Sequence, residues 1–115
     1  MFDKEFEIIK GDVFNQSDLS KAMESCEAIH INLSKTDEAK ATREIVNIPT
    51  QKGIRLISTI SGCTVTEENR WFGMIENKYQ AEQAIINSGI NYMIFRPTWF
   101  FETLDLMVRN GKAIV

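Results

Sequence analysis

The most restrictive feature of this 115-residue sequence is the alternation of strand-like apolar segments with longer segments of helical character. The strand-like segments are residues 6–13, 28–33, 54–60 and 92–95. Between them, apolar residues recur at helical spacing over residues 17–26, 36–48 and 70–87. The strand-like segments lack a clean apolar–polar alternation, as is usual for strands covered on both faces. The sequence therefore predicts a single α/β domain with a parallel sheet built from βαβ units.

Individual residues predict where the helices begin and end. Ser17 is expected to cap the first helix, because a serine side chain accepts hydrogen bonds from the first helical amides. Pro49 is expected to end the second helix, since proline lacks an amide donor and disfavours a helical residue before it. Gly89 is predicted as the C-terminal cap of the third helix. Residues 104–109 predict a short further helix, followed by a glycine turn and a last strand.

Composition excludes several classes of protein. The chain is 43% hydrophobic and 25% charged, which is typical of a soluble globular protein, and its net charge of −3 gives no basic surface for nucleic acid. Its apolar runs are too short to span a membrane, and the N-terminal residues do not resemble a signal peptide, so a cytoplasmic location is expected. Cys26 and Cys63 stand alone, without CxxC spacing or nearby histidines, and no metal site is predicted.

Polar or small residues follow each strand-like segment. In parallel α/β sheets, ligands bind beyond the carboxyl ends of the strands. The groups expected at that edge are Asp12, residues 32–34, residues 58–62 and residues 96–98. A ligand site is therefore predicted there.

The sequence resembles the NmrA-like, atypical short-chain dehydrogenases/reductases over nearly its whole length. The segments that carry the resemblance are IIKGDVFNQSDLSKAMESCEAIHIN, GIRLISTISG, NKYQAEQAIINSGINYMIFRPTWFFE and GKAIV. The most specific pattern is a helix lysine, a glutamate four residues later, Ser-Gly, an aromatic strand and Arg-Pro. The resemblance implies a partial Rossmann-like sheet made of the family's strands three to six, with NAD or NADP as cofactor.

Particular residues acquire roles through this resemblance. It implies contacts with the adenine for Asp12 and Val13, and with the adenosine ribose for Ile31, Asn32 and Leu33. It places Lys78 at the nicotinamide ribose, Pro97 and Thr98 near the nicotinamide, and Ser58 at the end of the catalytic strand as a cofactor-site residue. It also makes Lys78 and Ser58 the candidate catalytic residues. From the residues alone, other interpretations stay open: Lys78 as a solvated surface charge, Asp12 as a turn residue and Ser58 as the end of a strand.

Two departures from the family pattern bear on function. The sequence has no glycine-rich turn for the pyrophosphate, and Met74 occupies the position, four residues before Lys78, where catalytic members carry a tyrosine. Tyr79 lies at the wrong spacing to replace it. Two hypotheses follow: an NAD(P)-binding oxidoreductase or epimerase relative with impaired catalysis and a small-molecule substrate, or a non-catalytic interaction module.

The implied topology also bears on assembly. Residues 1–115 are expected to form one truncated domain, in which right-handed crossovers place the helices mainly on one face of the sheet. The opposite face would then expose apolar side chains to water, which soluble monomers seldom tolerate over a large area. A homo-oligomer that covers this face is expected. A separate polypeptide, or further residues of a longer protein, are the alternatives.

Overall fold

Helices alternate with the strands of a parallel sheet in the computed structural model of the chain. The structure describes residues 6–33, 37–48, 53–98, 108–109 and 112–113. In chain order the elements are α1 (Gln16–Ala22), β1 (Ala28–Ile31), α2 (Glu38–Val46), β2 (Leu56–Ile60), α3 (Gly73–Ile86), β3 (Asn91–Phe95), β4 (Val108–Arg109) and β5 (Lys112–Ala113). A short 3-10 helix, Glu67–Asn69, precedes α3. None of the helices in these ranges is long and apolar enough to cross a membrane.

The sheet contains β1, β2 and β3 in that order, and both pairings are parallel. Ile57 of β2 lies opposite Ile29 of β1 and Tyr92 of β3. The predicted α/β class with a parallel sheet is therefore confirmed. Strands β4 and β5 form a separate antiparallel pair in which Val108 lies opposite Ala113.

The hydrophobic core lies between one face of the sheet and the helices. Its buried members are Met23, Ile31, Ile45, Ile48, Ile54, Ile57 and Ile85. Ile57, in the central strand, is fully buried, and Ile85 of α3 is 1% exposed. Burial of each such side chain stabilises the fold by about 2 kcal/mol. Leu19 of α1 packs against this core, and Ile45 and Ile85 belong to α2 and α3, so all three helices contribute to it.

The opposite face of the sheet carries side chains that alternate with the core residues. His30, Ser58 and Met93 lie side by side across the three strands on this face, which we call the open face. Met93 is 48% exposed, and Ile60 and Phe95 on the same face are 39% and 49% exposed. No helix among the described residues shields these side chains.

The ends of the helices agree with the predictions in part. Asn15, rather than Ser17, caps α1: its side chain accepts hydrogen bonds from the amides of Ser17 and Asp18. The cap therefore lies two residues earlier than predicted. The C-cap of α3 is Asn87, two residues before the predicted Gly89. Gly89 follows in the left-handed conformation that glycine favours, with a φ of +79°. Pro49 is not among the described residues, but α2 ends at Val46, as predicted.

Two predicted elements are wrong in the described residues. Residues 6–13 form no strand, and residues 6–12 are exposed, because the described parallel sheet consists of β1, β2 and β3 and does not include this segment. Residues 108–109 form β4 instead of the end of a helix, because their backbone pairs with that of residues 112–113. The strand predicted after the turn is present as β5, whereas residues 104–107 are not described.

Candidate functional site

A cleft of about 320 Å³ opens beyond the carboxyl ends of β2 and β3, beside the first half of α3. It is lined by Ile60, Ser61, Gly62, Cys63, Thr64, Val65, Met74, Ile75, Lys78, Pro97 and Thr98. We call it the lysine cleft. Its lining is mainly apolar, with one ammonium group and several hydroxyl groups. Ligand sites in proteins commonly have this composition.

The two loops that form the lysine cleft are joined by backbone hydrogen bonds. The amide of Ser61 donates to the carbonyl oxygen of Phe95 at 2.7 Å, and the amide of Cys63 donates to that of Pro97 at 3.2 Å. Both bonds continue the parallel pairing beyond the ends of β2 and β3. The cleft wall is therefore an extension of the sheet.

An ion pair fixes the loop after β3 to α3. Arg96 donates from Nε to Oε1 of Glu82 at 3.1 Å and from Nη2 to Oε2 at 2.5 Å. The hydrogen bonds and charge of Glu82 raise the pKa of the Arg96 guanidinium above its usual value. Because Pro97 and Thr98 follow directly, this pair helps to place the C-terminal wall of the cleft.

Lys78 joins the lysine cleft to the start of α2. Its Nζ donates to Oε2 of Glu38 at 3.1 Å, and the two side chains are 28% and 12% exposed. The neighbouring Asn77 accepts a hydrogen bond on Oδ1 from the amide of Ala39 at 2.9 Å. Consecutive residues of α3 therefore contact consecutive residues in the first turn of α2.

Ser61 is one of the residues that line the lysine cleft. Its Oγ atom is buried, and within the described part of the chain it has no hydrogen-bond partner. Buried hydroxyl groups normally have a partner, because leaving one unpaired is unfavourable. A ligand in the lysine cleft can supply the missing partner.

The start of α3 is fixed by a cluster of polar side chains on its surface. Arg70 donates to both carboxylate oxygens of Glu76, at 2.7 and 3.0 Å, and to Glu67 at 3.1 Å. The hydrogen bonds that Glu76 accepts, chiefly those from Arg70, lower the pKa of Glu76 to about 2. Tyr79 donates to Glu67 at 2.5 Å, and this bond raises the pKa of the phenol. Tyr79 therefore belongs to this cluster and does not line the lysine cleft.

The residues predicted for the nicotinamide side separate into two groups. Lys78, Pro97 and Thr98 line the lysine cleft, whereas Ser58 does not. The Oγ atom of Ser58 lies 2.8 Å from Nδ1 of His30 on the open face. Ser61 was not singled out from the cluster at residues 58–62. The signal that could have identified it is its position directly after the last apolar residue of β2.

The residues predicted to contact adenosine lie in two smaller clefts that share Leu19 and Ala22 of α1. Asp12 and Val13 line a cleft of about 180 Å³. The segment Ile31, Asn32 and Leu33 lines one of about 300 Å³. Neither has a residue in common with the lysine cleft. Asp12 also accepts a hydrogen bond from the amide of Phe14 at 2.9 Å, which is the geometry of a turn.

A larger, open groove of about 550 Å³ lies between α2 and α3. It is lined by Arg43, Val46, Asn47, Gln80, Gln83, Ala84, Asn87 and Ser88, none of which was predicted for the site.

Across residues 6–33, 37–48 and 53–98, and in β4 and β5, no group of three or more histidine, cysteine or acidic side chains could hold a metal ion. The lysine cleft is therefore the candidate site.

Comparison with protein families identifies one match. A family model described as NAD(P)H-binding matches residues 2–110, which is most of the chain. No curated protein matches the chain.

Several solved structures are similar in fold. The NADPH-dependent quinone oxidoreductase QOR2 from Escherichia coli, solved with NADPH, gives a TM-score of 0.71 at 19% identity and covers 85% of this chain and 35% of its own. A nucleoside-diphosphate-sugar epimerase from Staphylococcus aureus gives 0.69 at 20% identity, with coverages of 84% and 37%. The triphenylmethane reductase of Citrobacter sp., solved with NADP(H), gives 0.64 at 16% identity, with coverages of 84% and 36%. The chain thus spans roughly a third of the length of each protein.

Proposed function

Because the chain belongs to the NAD(P)H-binding family, we propose that it binds the nicotinamide half of NAD or NADP in the lysine cleft. The observation that carries this proposal is that Lys78, Ser61 and Thr98 line one cleft at the carboxyl edge of a parallel sheet. That edge is where α/β sheets of this kind bind their ligands. The adenosine half would extend toward the clefts beside α1.

The lining of the lysine cleft fits a nicotinamide riboside. The apolar side chains Ile60, Val65 and Ile75 suit a flat ring, and the ammonium group of Lys78 suits the ribose hydroxyls. The hydroxyl of Ser61, for which the described residues supply no hydrogen-bond partner, suits a polar group of the ligand. These 115 residues contain no GxGxxG pattern, and the proposal therefore concerns the nicotinamide half of the cofactor alone.

A bound nicotinamide would supply hydride chemistry for a small carbonyl or quinone substrate. Lys78 would orient the ribose, and Ser61 is better located than Ser58 to orient the substrate, since only Ser61 lines the cleft. Met74 lines the cleft four residues before Lys78, and its thioether cannot transfer a proton. We therefore propose that catalysis, where it occurs, relies on water or a ribose hydroxyl for the proton.

Nicotinamide mononucleotide and NADPH, titrated separately by calorimetry, would test the proposal. Both ligands should bind, and Lys78→Met should weaken both by about tenfold through the loss of a charge-assisted hydrogen bond. Lys21→Met is the control, because Lys21 lies in the last turn of α1 and lines none of the clefts described above. Absence of binding at millimolar concentrations, or equal losses in both variants, would refute the proposal.

The open face supports a second candidate function. Ile60, Met93 and Phe95 are each 39–49% exposed on the same side of the sheet. Grouped apolar side chains of this kind often mark protein–protein contacts. We propose as the alternative a non-catalytic module that self-associates through the open face. Sedimentation velocity at micromolar concentration would test it, and a monomer at all concentrations would argue against it.

A further inference from the structure

The contact between Lys78 and Glu38 carries an inference about how the cleft is organised. The ammonium group belongs to the cleft, whereas the carboxylate belongs to the first residue of α2. The Glu38 side chain is 12% exposed, so most of its surface is in contact with protein. Glu38 is thus a nearly buried anion whose partner is the one ammonium group in the cleft lining.

The position of Glu38 is itself fixed. A carboxylate in the first turn of a helix interacts favourably with the helix dipole. Asp37 caps α2 by accepting a hydrogen bond from the amide of Lys40 at 3.1 Å. The contact between Asn77 and the amide of Ala39 then ties this turn to α3. The carboxylate is therefore attached to a part of the backbone that is held at two further points.

Lysine is flexible, and this contact restricts it. A free lysine side chain loses rotamer freedom when a ligand fixes it, and this loss weakens binding. An ammonium group has three N–H donors, of which Glu38 accepts one from Lys78. No other acceptor for this ammonium group is present in the described part of the chain, so two donors remain for a ligand without breaking the ion pair.

We propose that Glu38 is a positioning residue that holds the ammonium group of Lys78 at the lysine cleft and leaves two of its donors for the ligand. The inference rests on the proposed function for the identity of that ligand. Glu38 itself does not line the cleft and acts only through Lys78.

The position of the ammonium group can be measured without a ligand. Lysines of the wild-type chain would be acetylated with limiting reagent and the rate at each site read by mass spectrometry, with Lys21 as the internal reference. Loss of the ion pair in Glu38→Ala should increase the rate at Lys78 by about threefold to tenfold. Glu38→Gln keeps a hydrogen-bond acceptor and should give a smaller increase.

Glu44→Gln is the matched control, because Glu44 lies on the same helix and accepts a hydrogen bond from Gln16. It should leave the rate at Lys78 unchanged. Circular dichroism would verify that each variant is folded. If Glu38→Ala is unfolded, Glu38→Gln decides the result. Equal labelling of Lys78 in wild type and the folded Glu38 variants would overturn the proposal.

NADPH binding to the same proteins separates this inference from the proposed function. NADPH should protect Lys78 of the wild type from acetylation, and its affinity should fall by about threefold to tenfold in Glu38→Ala. If labelling changes but NADPH binds both proteins equally, the positioning role is refuted. If NADPH does not bind the wild type, the proposed function fails, and the labelling result alone upholds or overturns the ion pair.

Discussion

Arg96 donates two hydrogen bonds to Glu82, whose side chain is 2% exposed although that of the arginine is 49% exposed. The acid lies in the last half of α3 and the arginine directly after β3. A buried carboxylate depends on its partner much more than a solvated guanidinium does. The main effect of the ion pair is therefore to compensate the buried negative charge of Glu82.

Replacement of this arginine should destabilise the fold. Arg96→Met leaves the Glu82 carboxylate buried without its counter-ion. We expect the free energy of unfolding to fall by about 2 kcal/mol, which is less than for a fully buried pair because Arg96 is half exposed. Urea denaturation followed by circular dichroism would measure it. Arg55→Met is the control, because the Arg55–Glu27 pair is 75% and 77% exposed and should contribute less than about 1 kcal/mol. Equal losses would contradict the prediction.

The central strand allows a second comparison. Ile57 is fully buried against the helices, and Ile60 is 39% exposed on the open face. Ile57→Val removes one buried methylene and should cost about 1 kcal/mol, while Ile60→Val should cost close to nothing. Urea midpoints of the two variants would be compared at low protein concentration. A larger loss in the Ile60 variant would show that the open face is covered in solution.

Acid should weaken the start of α3. The pKa of Glu76 is lowered from 4.5 to about 2 in the folded chain, chiefly by hydrogen bonds from Arg70. A carboxylate whose pKa is lower in the folded than in the unfolded chain stabilises the fold at pH values above its unfolded pKa. That contribution is lost as the pH falls from 4.5 through 2.

The urea midpoint should therefore decrease as the pH falls through this range. Glu76→Gln should reduce the slope of the urea midpoint against pH. Glu24→Gln is the control, because no ion pair involving Glu24 is present in the described residues. A slope unchanged by Glu76→Gln would contradict the assignment.

Charge on the open face should prevent self-association. Phe95→Glu places a carboxylate among the exposed apolar side chains, and a dimer formed through this face would dissociate because that charge would be buried without a partner. Sedimentation velocity would follow the change from dimer to monomer. Trp71→Glu is the control, since Trp71 is 82% exposed and lies outside the sheet. Dissociation by both variants, or by neither, would argue against the open face as the interface.

The sequence predicted the elements whose local and long-range signals agree. Gly89 could be placed in the turn after α3 because its left-handed conformation favours glycine, although the C-cap itself is Asn87. Residues 6–13 were predicted as a strand from β-forming side chains, but strand formation needs a pairing partner, which no local pattern supplies. Ser17 and Asn15 are both good caps, and the choice between them depends on where the helix enters the core.

The site was predictable to the level of the edge of the sheet. Pro97 and Thr98 lie at this edge because of parallel topology, whereas Lys78 was assigned only through the family resemblance. The difference between Ser58 and Ser61 depends on which way successive side chains point at the end of a strand. The contact between Glu38 and Lys78 joins residues 40 positions apart, and no periodic pattern identifies such a pair.

The parallel sheet has a kinetic consequence. Residues paired between β1 and β2 are 28 positions apart in the chain, as in Ala28 and Leu56, and those paired between β2 and β3 are 35 apart, as in Leu56 and Asn91. No pairing in this sheet is local, so the chain must lose the entropy of closing a long loop before each pairing can form stabilising contacts. Chains of such high contact order fold slowly, and the unpaired strands stay available to other chains during synthesis.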